Sequence, residues 1–75
     1  MKFDALVDAR GLKCPLPLLH CKRGLNSLEF GQILKIQTTD KNASKDFEAF
    51  CENTGHEIKS SETLNQITTF YIKKN

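Results

Sequence analysis

The residue best suited to carry chemistry is Cys14, which lies between a strand-like segment and a helix-like segment. Pro15 follows it directly, and proline is favoured in the first turn of a helix because the amide it lacks would have no partner there. The sequence therefore predicts a helix that begins at Pro15, with Pro17 still in its first turn and Cys14 as the cap residue. Because a helix dipole stabilises a thiolate at its positive end, we expect Cys14 to be a nucleophile with a lowered pKa.

Four residues before Cys14 are expected to support this thiolate. Arg10 and Lys13 bring positive charge close to it in the sequence. Gly11 provides a residue that tolerates positive φ in the loop. Asp8 is predicted to hold the loop by bonding Arg10 or backbone amides rather than to act as a base.

The other two cysteines have a different pattern. Cys21 and Cys51 fall on the apolar stripes of two predicted helices, and free cysteine is among the most frequently buried residue types. On a helix, seven residues place the Cα atoms of Cys14 and Cys21 about 10 Å apart, which is too far for a disulfide. Since no cysteine follows Cys14 by three residues, dithiol redox chemistry is also disfavoured.

Two further chemistries of Cys14 would each need partner residues close to it. A structural zinc site needs four ligands, and the nearby candidates His20 and Cys21 lack the paired spacing of such sites. A Cys–His nucleophile needs a histidine close in space, but His20 points elsewhere around the helix and His56 begins a separate strand. We expect both histidines to be surface or edge residues. The remaining chemistry is a group accepted and passed on by the Cys14 sulfur itself, with larger partner proteins supplying the rest.

The elements that position these residues follow from hydrophobic periodicity. The pattern predicts the order βαβαββ, with Asn42 or Ser44 capping the second helix, Gly55 ending it and residues 62–65 joining an antiparallel hairpin. The predicted strands are 3–7, 32–39, 56–61 and 66–73, and the predicted helices run from 15 to 28 or 29 and from about 43 to 54. Right-handed crossovers place both helices on one face of a single sheet. The predicted fold is therefore α+β, a two-layer sandwich with a four-stranded mixed sheet.

The other face of this sheet is predicted to be open, with Lys35, Lys59 and Lys73 among its polar residues. A small regulatory or RNA-binding module that uses this face is the alternative function. Phe70 and Tyr71 should point to opposite faces, so a platform for base stacking is poorly supplied.

Length and composition limit the classes of protein to which the chain can belong. The 75 residues make one domain, 1–75, and the formal charge of +2 is small and spread along the chain, so no direct nucleic-acid partner is expected. No apolar run approaches the roughly 20 residues of a membrane helix, and the first residues do not resemble a signal peptide. We therefore expect a cytoplasmic monomer with no metal and no separate cofactor.

A motif around the first cysteine resembles the signature of the TusA/SirA-like sulfur-carrier family. Its residues are Asp8-x-Arg10-Gly11-x-x-Cys14-Pro15-x-Pro17. A second block is similar to the second helix of the family and the turn that follows it, and consists of Thr39-Asp40, Ser44, Phe50 and Gly55-His56-Glu57. The resemblance covers essentially the whole chain.

The resemblance implies a sulfurtransferase in which Cys14 carries sulfur covalently as a persulfide. It implies a cysteine desulfurase or another sulfur donor, and a downstream acceptor protein in tRNA wobble-uridine thiolation or in a related sulfur or selenium route. It also implies a fold like that of the C-terminal domain of translation initiation factor 3. Leu16 and Leu19 lie close to Cys14 and outside the apolar stripe of the first helix. We expect them to form a partner-docking surface.

Overall fold

The computed structural model describes the whole chain, Met1–Asn75, and has the predicted βαβαββ order. The elements are β1 (Ala5–Ala9), α1 (Leu16–Asn26), β2 (Ile33–Thr38), α2 (Ala43–Thr54), β3 (Glu57–Leu64) and β4 (Ile67–Lys73). The four strands form one sheet in the order β1-β2-β4-β3. β1 and β2 are parallel, while β4 is antiparallel to both of its neighbours, so the sheet is mixed as predicted.

Both helices pack on the same face of this sheet. The inward face of β2 consists of Leu34, Ile36 and Thr38, which are fully buried. Phe47 of α2 contacts Phe70 of β4 edge to face, with ring centroids 4.8 Å apart. Edge-to-face aromatic pairs stabilise a core beyond the area they bury, so this contact fixes α2 over the middle of the sheet.

The helix α1 lies close to β1 and β2 because one of its residues has no side chain. A Cβ atom on Gly24 would lie 2.9 Å from Leu34 Cδ1 and 3.0 Å from Val7 Cγ2. Close packing of α1 against the sheet is therefore the reason for a glycine inside this helix.

The predicted bounds of β1 and α1 were wrong by two or three residues. The strand β1 runs from Ala5 to Ala9 rather than from 3 to 7, so Asp8 belongs to the strand. Just before β1, Asp4 donates its amide to the Ile33 carbonyl and accepts the Ile33 amide through Oδ2, both at 2.8 Å. The helix α1 ends at Asn26, where the hydroxyl of Ser27 donates to the Gly24 carbonyl at 2.8 Å. Such side-chain bonds to the backbone compete with the continuation of regular structure.

The predicted hairpin is present, but its loop is shorter than predicted. β3 continues to Leu64, and only Asn65 and Gln66 connect it to β4, both with positive φ (53° and 69°). Two residues with positive φ match the right-handed twist of the flanking strands, which favours a two-residue turn over the predicted four-residue loop.

The ends of α2 agree with the prediction only in part. Gly55 has φ 83° and donates its amide to the carbonyl of Cys51, as a left-handed helix end requires. Asn42 occupies the N-terminal cap position, yet its side chain makes no capping bond. The backbone amide of Asn42 donates instead to Asp40 Oδ1 at 3.1 Å. Thr54, the last residue of this helix, is exposed.

The open face of the sheet contains an aromatic pair that the sequence did not predict. Phe70 and Tyr71 do point to opposite faces, the first buried and the second half-buried. However, Phe3 lies beside Tyr71 with ring centroids 6.4 Å apart. Lys35 Nζ is 5.1 Å from the Phe3 ring and 5.8 Å from the Tyr71 ring, within the range of cation–π contacts.

Candidate functional site

The candidate site lies at the carboxyl ends of the two parallel strands β1 and β2. The loops that leave these strands meet there, because parallel neighbours end at the same edge of the sheet. An open depression of about 530 Å³ lies between the loops. Its lining residues are Gly11, Leu12, Lys13, Cys14, Thr39, Asp40, Lys41 and Asn42. The fold therefore brings Cys14 together with residues almost thirty positions further along the chain.

The start of α1 differs from the prediction. The first helical residue is Leu16 and Pro15 occupies the cap position, so Cys14 lies one residue outside the helix. The amide of Leu16 donates to the Lys13 carbonyl at 2.9 Å, which closes a turn that contains Cys14 and a cis Cys14–Pro15 peptide bond. Pro17 is the second helical residue and is buried. The prediction that Cys14 caps this helix was wrong, because this turn precedes the first helical bond.

Two residues of the β2–α2 loop fix the Cys14 loop in place. Gly11, which has φ 80°, donates its amide to Thr39 Oγ1 at 2.9 Å. Cys14 donates its own amide to Asp40 Oδ2 at 3.1 Å. The other oxygen of Asp40 accepts the amide of Asn42, so one carboxylate joins both loops. We refer to Thr39 and Asp40 as the loop clamp.

Asp8 and Arg10 form an ion pair that holds the start of the same loop. Arg10 donates from Nε to Asp8 Oδ1 at 2.9 Å and from Nη2 to Oδ2 at 3.0 Å, and its amide also bonds Oδ1 at 3.1 Å. These bonds from Arg10 lower the pKa of Asp8 to about 2. The predicted bonding of Asp8 to Arg10 is present. The guanidinium of Arg10 is occupied by this pair, so its predicted role in stabilising the Cys14 anion finds no support in the geometry.

The side chain of Cys14 faces a carboxylate instead of a cation. Its Sγ donates to Asp46 Oδ2 of α2 at 3.5 Å. That hydrogen bond, some desolvation and the negative charges of Asp46 and Asp40 raise the pKa of the Cys14 thiol above its ordinary value. The predicted lowering of this pKa was wrong, because the sulfur lies outside the helix and next to two acids. At neutral pH the exposed Cys14 is therefore a protonated thiol.

The two other cysteines are free and buried, as predicted. Burial, followed by the proximity of Cys51, raises the pKa of the Cys21 thiol to about 12. Burial likewise raises the pKa of Cys51 to about 11. Cys14 is the exposed member of the three, and hence the thiol that a partner can reach.

The predicted docking residues lie close to Cys14 in the sequence. Leu16 and Leu19 are 43% and 44% exposed in the first two turns of α1, as predicted, and Lys13 is also exposed. Exposed apolar side chains beside an accessible thiol are suited to a protein partner.

Neither histidine contacts Cys14. His56 accepts the amide of Asn75 through Nδ1 and lies against the Phe50 ring, and burial lowers its pKa. His20 is half-buried on α1.

Neither α1 nor α2 is long and apolar enough to cross a membrane.

Sequence reasoning missed the two residues that set the chemistry of the thiol. Asp40 was noticed only within a motif, and Asp46 was not singled out at all. Asp46 is an acid in the first turn of α2, adjacent to the apolar stripe, and that position was a signal that it faces α1. Asp46 is 32 residues from Cys14 in the sequence, so no local pattern indicates this contact.

The fold and site together define a class: a small two-layer α+β domain that presents one thiol at the edge where two parallel strands end. A solved SirA-like protein from Desulfitobacterium hafniense has the same fold, with a TM-score of 0.82 at 22% identity over 93% of this chain and 96% of that one. Residues 5–74 match the family model of sulfurtransferase TusA.

Two relatives extend this similarity over nearly the full length of the chain. The chain is 44% identical over 72 residues to sulfur carrier protein TusA of Allochromatium vinosum, covering 96% of this chain and 95% of that protein. It is 40% identical over 74 residues to YrkI of Bacillus subtilis, covering 99% of both. The chain belongs to the TusA sulfurtransferase family.

Proposed function

We propose that this protein is a sulfur carrier that holds sulfur as a persulfide on Cys14. The observation that carries the proposal is the contrast among the cysteines, since Cys14 is exposed in a fixed loop while Cys21 and Cys51 are buried. The membership of the chain in the TusA family supports the same role. The sulfur stays covalently bound, so the carrier needs no other cofactor.

The partners in this proposal are a sulfur donor and a sulfur acceptor, both of them proteins. The donor is a cysteine desulfurase or another persulfide-bearing protein, and the acceptor takes the sulfur toward tRNA wobble-uridine thiolation or a related sulfur or selenium route. The exposed Leu16 and Leu19 supply an apolar surface beside the thiol, which supports docking of larger proteins by a monomeric carrier. Thiouridine content in tRNA from cells that lack this protein separates the two destinations.

The direct test is sulfur loading. The protein is incubated with a cysteine desulfurase and radiolabelled cysteine, and intact mass and bound label are measured. The wild type should gain one sulfur atom and Cys14→Ser none. Cys51→Ala, which removes a buried thiol, is the matched control and should load like the wild type. Loading that persists in Cys14→Ser, or a wild type that never gains sulfur, overturns the proposal.

The pair of aromatic rings on the open face favours a second candidate function, RNA binding. Phe3 and Tyr71 flank Lys35, and single-stranded nucleic acid is commonly bound by bases stacking on such rings beside a cation. Salt-sensitive binding of an unstructured oligonucleotide, lost in Phe3→Ala and unchanged in Cys14→Ser, would support this candidate. No binding at low salt would exclude it.

A further inference from the structure

We propose that Asp46 is a catalytic residue that takes the proton from Cys14 when sulfur is loaded and returns it when sulfur is delivered. This inference rests on the proposed sulfur-carrier function. It starts from the contact between Cys14 Sγ and Asp46 Oδ2 at 3.5 Å, in which the thiol donates. A base must lie within hydrogen-bond reach of the proton it removes, and contacts in unliganded sites are commonly long.

The two acids next to Cys14 are bonded differently, and this difference assigns their roles. Both oxygens of Asp40 accept backbone amides, from Cys14 and from Asn42, so this carboxylate holds structure. Asp46 accepts a side-chain hydrogen bond from the thiol alone and belongs to neither of the two salt bridges of the protein. Lys22 of α1 lines a depression beside Asp46 without forming an ion pair with it, so the carboxylate is available to accept a proton.

The charged groups around the sulfur make proton transfer necessary. Asp46 faces it from α2 and Asp40 from the β2–α2 loop, while Lys13 and Lys41 line the same depression without bonding Sγ. The thiol is consequently held protonated, whereas the reacting nucleophile in exchange at sulfur is the thiolate. A base in contact with the thiol supplies the thiolate at the moment of attack.

The loading step transfers one sulfur atom to Cys14 and one proton to Asp46. Cys14 Sγ attacks the terminal sulfur of the donor persulfide while its proton moves to Asp46 Oδ2. The new Sγ–S bond forms, the S–S bond of the donor breaks, and the donor leaves as a thiolate. No external oxidant or reductant is consumed, because sulfur at the same oxidation level passes between thiols.

Delivery reverses these events. A thiolate of the acceptor attacks the terminal sulfur of the Cys14 persulfide, and the Sγ–S bond breaks. Asp46 returns its proton to Sγ, which restores the resting thiol and carboxylate. Protonation matters here because a thiol of raised pKa is a poor leaving group as the bare anion.

The test measures loading and ionisation on the same variants. Glutathione persulfide is the probe, loading at Cys14 is followed by intact mass against pH, and the Cys14 pKa is read from the pH dependence of alkylation by iodoacetamide. In Asp46→Asn the pKa of Cys14 should fall. Loading near pH 7 should nevertheless be about a hundredfold slower, at the low end of the usual range for loss of an acid–base group.

The pH profile and two control variants separate proton transfer from electrostatics. Loading of Asp46→Asn should rise about tenfold per pH unit below its thiol pKa, since it depends on the thiolate fraction, while the wild type should vary much less. Asp46→Glu, which keeps a carboxylate, should recover part of the rate. Glu48→Gln, which removes an exposed carboxylate of the same helix, should load at the rate of the wild type.

Three results would overturn the inference in distinguishable ways. If Asp46→Asn loads as fast as the wild type or faster near pH 7, Asp46 acts on Cys14 by charge alone. If Glu48→Gln is as slow as Asp46→Asn, the loss comes from the changed charge of α2 and not from the contact with Cys14. If the wild type itself takes no sulfur from this probe or from a desulfurase, the proposed function fails and the role of Asp46 with it.

Discussion

Arg10 and Asp8 form a two-point ion pair where β1 ends and the Cys14 loop begins, with N–O distances of 2.9 and 3.0 Å. The backbone amide of Arg10 adds a third bond to the same carboxylate. The arginine nearest to Cys14 in the sequence is thus committed to the loop rather than to the sulfur.

This pair predicts the titration of Asp8. The carboxyl resonance should titrate with a midpoint of about 2, measured by NMR. In Arg10→Gln the midpoint should rise toward 3.8 without reaching it, because the backbone amide bond remains. Lys13→Gln is the control and should leave the Asp8 midpoint unchanged. An unaltered midpoint in Arg10→Gln would contradict the assigned cause.

The exposed leucines predict a separation of docking from chemistry. Leu16→Asn should slow transfer from a protein desulfurase by about tenfold, the loss expected for one well-placed interface residue. Loading from glutathione persulfide should be unchanged, because Leu16 does not contact the sulfur. Lys13→Glu should behave similarly if the donor surface is acidic.

The control for docking is an apolar residue far from the site. Phe30 is 80% exposed in the loop between α1 and β2, and Phe30→Ser should transfer normally from the desulfurase. Equal losses in Leu16→Asn and Phe30→Ser would show that general surface apolarity, rather than this patch, accounts for the effect.

The contact between α1 and β2 predicts that Gly24→Ala destabilises the protein. Alanine gains about 1 kcal/mol in helix propensity over glycine. The new Cβ would lie 2.9 Å from Leu34 Cδ1 and 3.0 Å from Val7 Cγ2, and Leu34 is fully buried, so the packing of α1 against the sheet must shift. Overpacking of this kind costs about 1–3 kcal/mol, so the urea midpoint should fall. Asn26→Ala, at an exposed position of the same helix, should have little effect; a raised midpoint in Gly24→Ala would contradict the packing.

The buried thiols predict a loss of stability at alkaline pH. An unfolded cysteine ionises near 9.0, whereas native Cys21 and Cys51 ionise at about 12 and about 11. Their contribution is complete below the unfolded value, and it decreases as the pH rises toward the folded values because only the unfolded chain then releases these protons. Between about pH 8 and about pH 10 the free energy of unfolding should fall by on the order of 1 kcal/mol for each thiol.

Urea unfolding at the two pH values measures this effect. Cys21→Ala lowers stability at both, but the difference between them should shrink because one of the two thiols is gone. If the difference in Cys21→Ala equals that of the wild type, the alkaline loss has another origin.

The fold was accessible from the sequence because its signals are local. Alternation of apolar residues predicts β2 and β4, the stripe containing Phe47 and Cys51 predicts α2, and Gly55 predicts where that helix ends. The start of β1 was not predicted, because it depends on pairing between distant residues. For β1, the ladder starts where Asp4 meets Ile33, and nothing within the segment itself indicates that position.

The features of the site differ in the same way, between those set by sequence neighbours and those set by distant residues. The exposure of Cys14 and the pairing of Asp8 with Arg10 follow from neighbours in the sequence and were predicted correctly. The ionisation of Cys14 was predicted with the wrong sign, because it is set by Asp46, which only the packing of α2 brings within reach. A thiol's pKa depends on every charge around it, so local sequence could not fix this one.

The loop clamp has a consequence for any attempt to transplant the motif. A synthetic peptide that spans β1, the loop and α1 would contain the whole signature from Asp8 to Pro17, yet it would lack Thr39, Asp40 and Asp46. Its cysteine would ionise as an ordinary thiol on a freely moving backbone. Grafting this chemistry onto another scaffold therefore requires a second, parallel strand and the helix that follows it.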